Sequence, residues 1–469
     1  MNTAELEKTE NAESTAPVKE NKMGVLPVGK LVFSMSLPMM VSMLVQALYN
    51  IVDSLFVSQI NQNAFTGVSL AFPLQNLMIA VGVGTGVGVN ANLARALGEK
   101  KFEKANKFAR HGIFLAVCSY LAFLAVTLCF TKVYFRAQTD VAATIRYGEQ
   151  YLYIAGGLSV GSFMQIMNER LLQSTGKTVL SMFTQGLGAV INIVLDPILI
   201  FKLGMGVRGA ALATIVSQGV SCLWVVLFLF SKKSVLKLRV QNFLQSPRLI
   251  LPCVGLGTAT FIMQASESVL SVCFNSSLAR YGGDIAVGAM TILTSVMQFA
   301  LLPLQGISQG AQPILSYNYG AKNVERVRKT FRVLLTVCLT YSALIWAFVM
   351  LCPRVFAGIF TPDAELIEFT GRALRIYCAV LAIFGIQQAC QITFVSIGKA
   401  VCSIIVAVMR KFVLLIPLIY LMPHLVPDPT LGVYLAEPVA DTLAVTFTSI
   451  LFSHQFRKAL RTLESERSA

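Results

Sequence analysis

Apolar residues in this chain come in long runs separated by short polar stretches. Runs of roughly 20 apolar residues are the length at which a helix crosses the hydrocarbon of a bilayer. They fall at about 31–58, 67–94, 111–131, 147–173, 179–201 and 209–231, and again at about 249–279, 285–317, 333–352, 372–396, 401–424 and 431–453. The pattern predicts an all-α integral membrane protein with twelve transmembrane helices.

The polar stretches alternate in character. Arg95, Lys100, Lys101, Lys104, Lys107 and Arg110 follow the second run, Lys232, Lys233, Lys237, Arg239 and Arg248 the sixth, and Lys322, Arg326, Arg328, Lys329 and Arg332 the eighth. The intervening loops, such as 59–66 and 421–430, carry few or no basic residues. Positive loops stay on the cytoplasmic side, so both termini are expected there, as an even number of crossings requires.

The chain also repeats itself. Gly84-x-x-x-Gly88, Leu93 and Gly98 return as Gly306-x-x-x-Gly310, Leu315 and Gly320, and Ser174-Thr175-Gly176-Lys177 returns as Ser396-Ile397-Gly398-Lys399 at the same separation. Leu37-Pro38 returns as Leu251-Pro252. Each copy begins on the same side of the membrane, so two six-helix lobes related by an internal parallel repeat should face each other across a cavity. The organisation expected is a disordered cytoplasmic tail over residues 1–28, an N-lobe over 29–231, a cytoplasmic linker over 232–248, a C-lobe over 249–455 and a cytoplasmic C-terminal tail over 456–469.

Composition sharpens this reading. The 469 residues are 55% hydrophobic and only 13% charged, with a mean hydropathy of +0.68, against roughly 25% charged in soluble domains. The net charge of +15 sits in loops rather than in a basic tail with interleaved aromatics, which argues against nucleic acid as a partner. The ten cysteines lie in or beside apolar runs without a C-x-x-C pair, and neither disulfides nor a metal centre is indicated. Gly82 to Gly88 lacks the Lys-Ser/Thr of a phosphate loop and reads as a close-packing face. No metal-spaced histidine or serine-histidine arrangement is present, so an enzyme is not expected and no cofactor is implied.

Against this apolar background a few polar residues stand out, because an ionisable group inside a membrane usually marks an ion or substrate path. Asp53 ends the first span, Tyr49 lies one turn before it, and Pro38 sits further back where a kink is expected. Overlaying Leu37-Pro38 on Leu251-Pro252 puts Asp53 over Glu267, which lies in Met263-Gln264-Ala265-Ser266-Glu267. Asn192 and Asp196 stand a turn apart in the fifth span, Thr214 lies in the sixth, and Asn168 and Glu169 lie in the fourth. Oxygen groups from several helices suit a sodium ion held by Asp53 and Asp196, or a shared proton. The alternative for Asp196 is a helix end before Pro197 at the outer surface. In the C-lobe, Glu437 and Asp441 lie a turn apart in the last span; with Glu267, Met263 and Gln264 they are candidates for holding a cationic substrate. Arg410 or Lys411 could instead neutralise Glu437 or Asp441.

These residues resemble the multidrug and toxic compound extrusion (MATE) transporters over nearly the whole chain, from about Gly29 to Arg457. The likeness rests on the twelve spans in two copies, the Pro38-to-Asp53 spacing, Tyr49, the Gly84-x-x-x-Gly88 region with Leu93 to Gly98, and Asn192-x-x-x-Asp196-Pro197. It is greatest toward the DNA-damage-inducible branch and its staphylococcal drug-efflux relatives. The resemblance implies an N-lobe cation site made by Tyr49, Asp53, Asn168, Asn192, Asp196 and Thr214, and bending of the first helix at Pro38. It implies export of organic cations by a monomeric antiporter of the cell membrane in exchange for protons or sodium. The related alternative is a flippase for lipid-linked oligosaccharides. Where the sodium-driven branch has an acid in the tenth helix, this chain has Gln387, Gln388 and Gln391, so no C-lobe sodium site is expected.

Overall fold

The computed structural model describes residues 21–231, 234–236 and 247–468, and these are helical almost throughout. The N-lobe comprises α1 (Val28–Ser58), α2 (Gln62–Gly98), α3 (Phe102–Gln138), α4 (Ala142–Gly157 and Val160–Ser174), α5 (Thr178–Pro197, extended by a π turn over Ile198–Lys202) and α6 (Val207–Phe230). The C-lobe begins with one helical stretch, Pro247–Gly320, whose backbone breaks at Gly283 with φ 64°; the break separates α7 (248–282) from α8 (284–320). It continues with α9 (Val324–Leu351), α10 (Ala364–Tyr377 and Phe384–Ser396), α11 (Ala400–Val408, a π turn over Met409–Leu415, and Ile416–Leu421) and α12 (Pro429–Ser468). Twelve spans result. Two of them are broken, α4 into pieces of 16 and 15 residues and α10 by a 47° bend.

The repeat is written into the backbone. Lys100 and Lys322 are the two non-glycine residues with positive φ among those described, at 57° and 54°, and Gly176 and Gly398 match at 84° and 81°. Each pair closes a tight turn between helices, where a left-handed residue reverses the chain after a helix end. The breaks in α4 and α10 fall at corresponding places.

The lobes close on each other near the basic loops. A side chain at Gly98 would collide with the Tyr317 carbonyl, and one at Gly320 with the Arg95 carbonyl, so α2 and α8 cross backbone to backbone at symmetry-related points. Hydrogen bonds span the same seam: Arg95 Nη2 donates to the Ser396 carbonyl at 3.2 Å, Gln312 Nε2 to the Val87 carbonyl at 3.1 Å, and Ser36 Oγ to the Ile307 carbonyl at 3.1 Å.

Both chain ends differ from the expected tails, of which residues 1–20 lie outside the described residues, as does most of the linker. The short helix Lys22–Val25 carries Met23, fully buried with Leu31, Met35 and Ile314, and Arg326 Nη2 donates to the carbonyls of Met23 and Leu26 at 3.0 and 2.8 Å. A single apolar side chain anchors a segment whose composition is otherwise that of a tail. At the other end α12 continues through 456–468 because Phe456, Ala459, Leu460 and Leu463 form one apolar face, with Phe456 tilted against Phe331 at 5.1 Å. Helix α1 runs unbroken through Pro38, which is buried; the expected kink is not a break in the helix.

Candidate functional site

A cavity of about 300 Å³ lies between the lobes, on the side of the seam away from the basic loops. Helix α1 places Tyr49 and Asp53 a turn apart on its wall, and α6 adds Thr214. Just behind the wall, α5 brings in Asn192 and Asp196, buried at 1% and 0% exposure. In the amide orientation that satisfies both neighbours, Asn192 Nδ2 donates to Asp196 Oδ2 and Oδ1 accepts from the Thr214 backbone N–H, both at 3.3 Å. Asp53 and Asp196 are near enough for their charges to interact. One oxygen of each, Oδ1, is buried with no hydrogen-bond partner. A buried carboxylate oxygen without a donor is costly, and a proton or a cation bound there would remove that cost. Asp196 is thus inside the lobe and does not take the outer-surface position that its place before Pro197 allowed.

Asn168 does not join this group. Its Nδ2 faces Cys222 Sγ at 3.8 Å on α6, because successive helical residues point about 100° apart. The next residue, Glu169, faces the cavity, where it accepts from Gln165 Nε2 at 3.1 Å and Gln185 Nε2 at 2.8 Å. Arg170 also reaches it, and its Nη1 donates to Gln173 at 3.0 Å within the N-lobe and to Gln309 of α8 at 2.8 Å. Arg170, through Gln309, joins the two lobes at the cavity floor. Adjacent acid and base in one span were the available signal, and Arg170 was passed over.

The C-lobe acids are paired. Arg410 donates to Asp441 Oδ1 at 2.6 Å and to Glu437 Oε1 at 2.9 Å, and its guanidinium lies 4.7 Å over the Phe384 ring. Lys411 Nζ donates to Glu267 Oε1 at 2.7 Å. Both basic residues lie in the π turn of α11 and are buried. Glu437 and Asp441 are therefore neutralised inside the bundle and do not line the cavity. Glu267 is also paired, contrary to the expectation of a free acid, although its side chain stays 65% exposed. Gln264 lines the cavity; Met263 does not. Among the described residues no group of three or more His, Cys, Asp or Glu could hold a metal ion.

The family model MatE matches residues 38–198 and 259–421, one segment in each lobe. The chain belongs to the MatE family. It is 25% identical over 76% of its length, and 79% of the relative's, to the multidrug export protein MepA of Staphylococcus haemolyticus. It is 23% identical over 84% of its length, and 87% of the relative's, to the MepA of Staphylococcus aureus strain NCTC 8325. A solved outward-facing multidrug resistance MATE family transporter superposes with a TM-score of 0.88, 25% identity and coverage of 96% of this chain and 100% of that one. A MATE in the bent conformation superposes with a TM-score of 0.89 at 23% identity, over 97% of this chain and 100% of that one. The family is one of membrane transporters and not of enzymes, and the twelve-helix, two-lobe architecture is the MATE fold.

Proposed function

We propose that this MatE protein is a secondary antiporter of the cell membrane that exports organic cations, exchanging them for inward-moving protons or sodium. The basic loops and both chain ends are placed in the cytoplasm by the positive-inside rule. The present conformation then has its lobes closed toward the cytoplasm and its cavity on the outer side. The observation that carries the reading is the pair of buried, part-unpartnered carboxylates, Asp53 and Asp196, beside a cavity between two lobes. Ion capture there would neutralise charge in the N-lobe and favour one packing of α1 against α5, while cargo between the lobes favours the other. Pro38 leaves α1 without one backbone hydrogen bond, which lowers the cost of bending it. A membrane potential supplies about 2.3 kcal/mol per charge per 100 mV to such an exchange.

The flippase alternative calls for a cationic cavity to hold a pyrophosphate. Here the wall carries Asp53 and Glu169 against one base, Arg170, so the antiporter reading is preferred. The name multidrug export protein borne by the MepA relatives agrees with it. The experiment is cation efflux from everted vesicles with pH and sodium varied independently. Efflux that follows one ion and is lost in Asp53→Asn is the expected result, and efflux indifferent to both ions would refute the antiport.

A further inference from the structure

Ten of the residues lining the cavity are glutamines, about half of those in the chain, and they come from seven helices. Their placement is regular. On α8, Gln298, Gln305 and Gln309 share one face with Leu302, and on α4, Gln165 and Gln173 flank Glu169 at four-residue spacing. Aromatic lining is limited to Tyr49, Phe72 and Tyr151, and the Tyr151 hydroxyl accepts from Gln75 Nε2 at 3.0 Å. Pockets for drug-like molecules are usually apolar and aromatic with a few polar groups. This wall keeps a larger apolar than polar surface but sets ten glutamine amides into it and has few aromatic rings.

Eight of the ten glutamines divide into two sets. Gln165 and Gln185 hold Glu169, Gln173 and Gln309 hold Arg170, and Gln218 accepts from the Ser162 hydroxyl. These fix the charged floor. Gln264, Gln298 and Gln305 make no hydrogen bond within the described residues and face the cavity from the C-lobe. Each carries a donor and an acceptor in one plane, the arrangement that pairs with neighbouring hydroxyls on a sugar ring. Gln298 and Gln305 are two helical turns apart, about 10 Å along α8. Charge adds a second requirement, since Asp53 and Glu169 outnumber Arg170, whose Nη1 is engaged with Gln173 and Gln309. A flat lipophilic cation would satisfy the charge but strip water from the three free amides without replacing it, at about tenfold in affinity for each.

Resting on the antiporter reading above, we infer that the cavity is built for a hydrophilic, hydroxyl-dense cation of the amino-sugar class rather than for planar lipophilic cations. The three free C-lobe glutamines recognise the hydroxyls, and the acidic N-lobe wall recognises the ammonium.

The test is calorimetric titration of the purified full-length protein in nanodiscs with three probes: a glucosamine dimer, its neutral counterpart cellobiose, and ethidium. The expected order is the glucosamine dimer at least tenfold tighter than either of the others. The variant carrying Gln264→Leu, Gln298→Leu and Gln305→Leu should bind the dimer at least tenfold more weakly and ethidium more tightly. If that variant fails to fold, as judged by its melting transition, Gln305→Leu alone is read and a fewfold change in the same directions is expected. Ethidium binding tighter than the dimer, no dimer binding to folded protein, or dimer binding unchanged in the leucine variants would each overturn the inference. Ion-driven ethidium efflux without dimer binding would leave the antiport standing and remove this assignment. Dimer binding without ion-driven flux would do the reverse.

Discussion

Replacing Arg410 by methionine separates a structural role for the C-lobe acids from a role in cargo binding. The Arg410 side chain is 8% exposed, and it donates to Asp441 at 2.6 Å and to Glu437 at 2.9 Å, acids 8% and 11% exposed for Glu437 and Asp441 respectively. Methionine keeps the length of the stem and its packing against Phe384 but leaves two carboxylates buried without a partner. Removing one member of a buried ion pair costs about 3–5 kcal/mol, most of it from the charge left behind. Neutralising that remainder should reverse the effect: the triple variant Arg410→Met, Glu437→Gln, Asp441→Asn is expected to recover most of the loss, since buried ionic clusters are often replaceable by uncharged groups of the same shape. Thermal unfolding in detergent, followed by loss of the monodisperse peak, measures both variants side by side. If Arg410→Met melts with the unaltered protein while its cation binding rises, the acids serve cargo and the pairing argument is wrong.

Other consequences follow from the seam and the chain ends. Met23→Ala should undock the segment Lys22–Val25 from Leu31 and Ile314, raising hydrogen exchange over residues 22–26 with little change in global melting, because the loss is local; unchanged exchange would contradict the anchoring role. Gly98→Val and Gly320→Val place a side chain against the opposing backbone and should force the lobes apart at the end that carries the basic loops. A spin-label pair across that seam should report a longer distance in each, and an unaltered distance would refute the backbone-contact argument. Lys411→Met frees the exposed Glu267 carboxylate, so binding of cationic probes should strengthen severalfold, whereas a neutral probe such as cellobiose should not respond.

How much of this was legible in the sequence depended on whether the signal was local. The spans were, since hydropathy acts over 20 residues, and so was the repeat, whose turns carry matching left-handed backbones at Lys100 and Lys322 and at Gly176 and Gly398. Asp53 and Asp196 stood out because each is an isolated acid in an apolar run; Tyr49, Asp53 and Thr214 line the cavity, with Asn192 and Asp196 buried behind its wall. Glu267 was misread because its partner Lys411 lies in another helix 144 residues away, and no spacing along the chain announces that pairing. The π turn at 409–415, which contains the buried Arg410 and Lys411, has no evident sequence signature. Of the two fourth-span candidates, Asn168 faces Cys222 and Glu169 the cavity, because one position on α4 turns a side chain by about 100°. The glutamine wall went unseen for a different reason: an uncharged residue in a span draws no notice singly, and only the convergence of seven helices makes it a surface. Met23 shows the converse, one apolar residue docking a segment that looks like a tail.

The account turns on ion exchange at Asp53, and the most direct measurement is uphill movement of cation probes in everted vesicles under an imposed proton or sodium gradient, with the glucosamine dimer and ethidium run in parallel. The unaltered protein should accumulate at least one probe in response to one of the two ions, and Asp53→Asn should abolish that response while leaving expression and melting intact. Gradient-driven accumulation that persists in Asp53→Asn with the same ion dependence would contradict the mechanism.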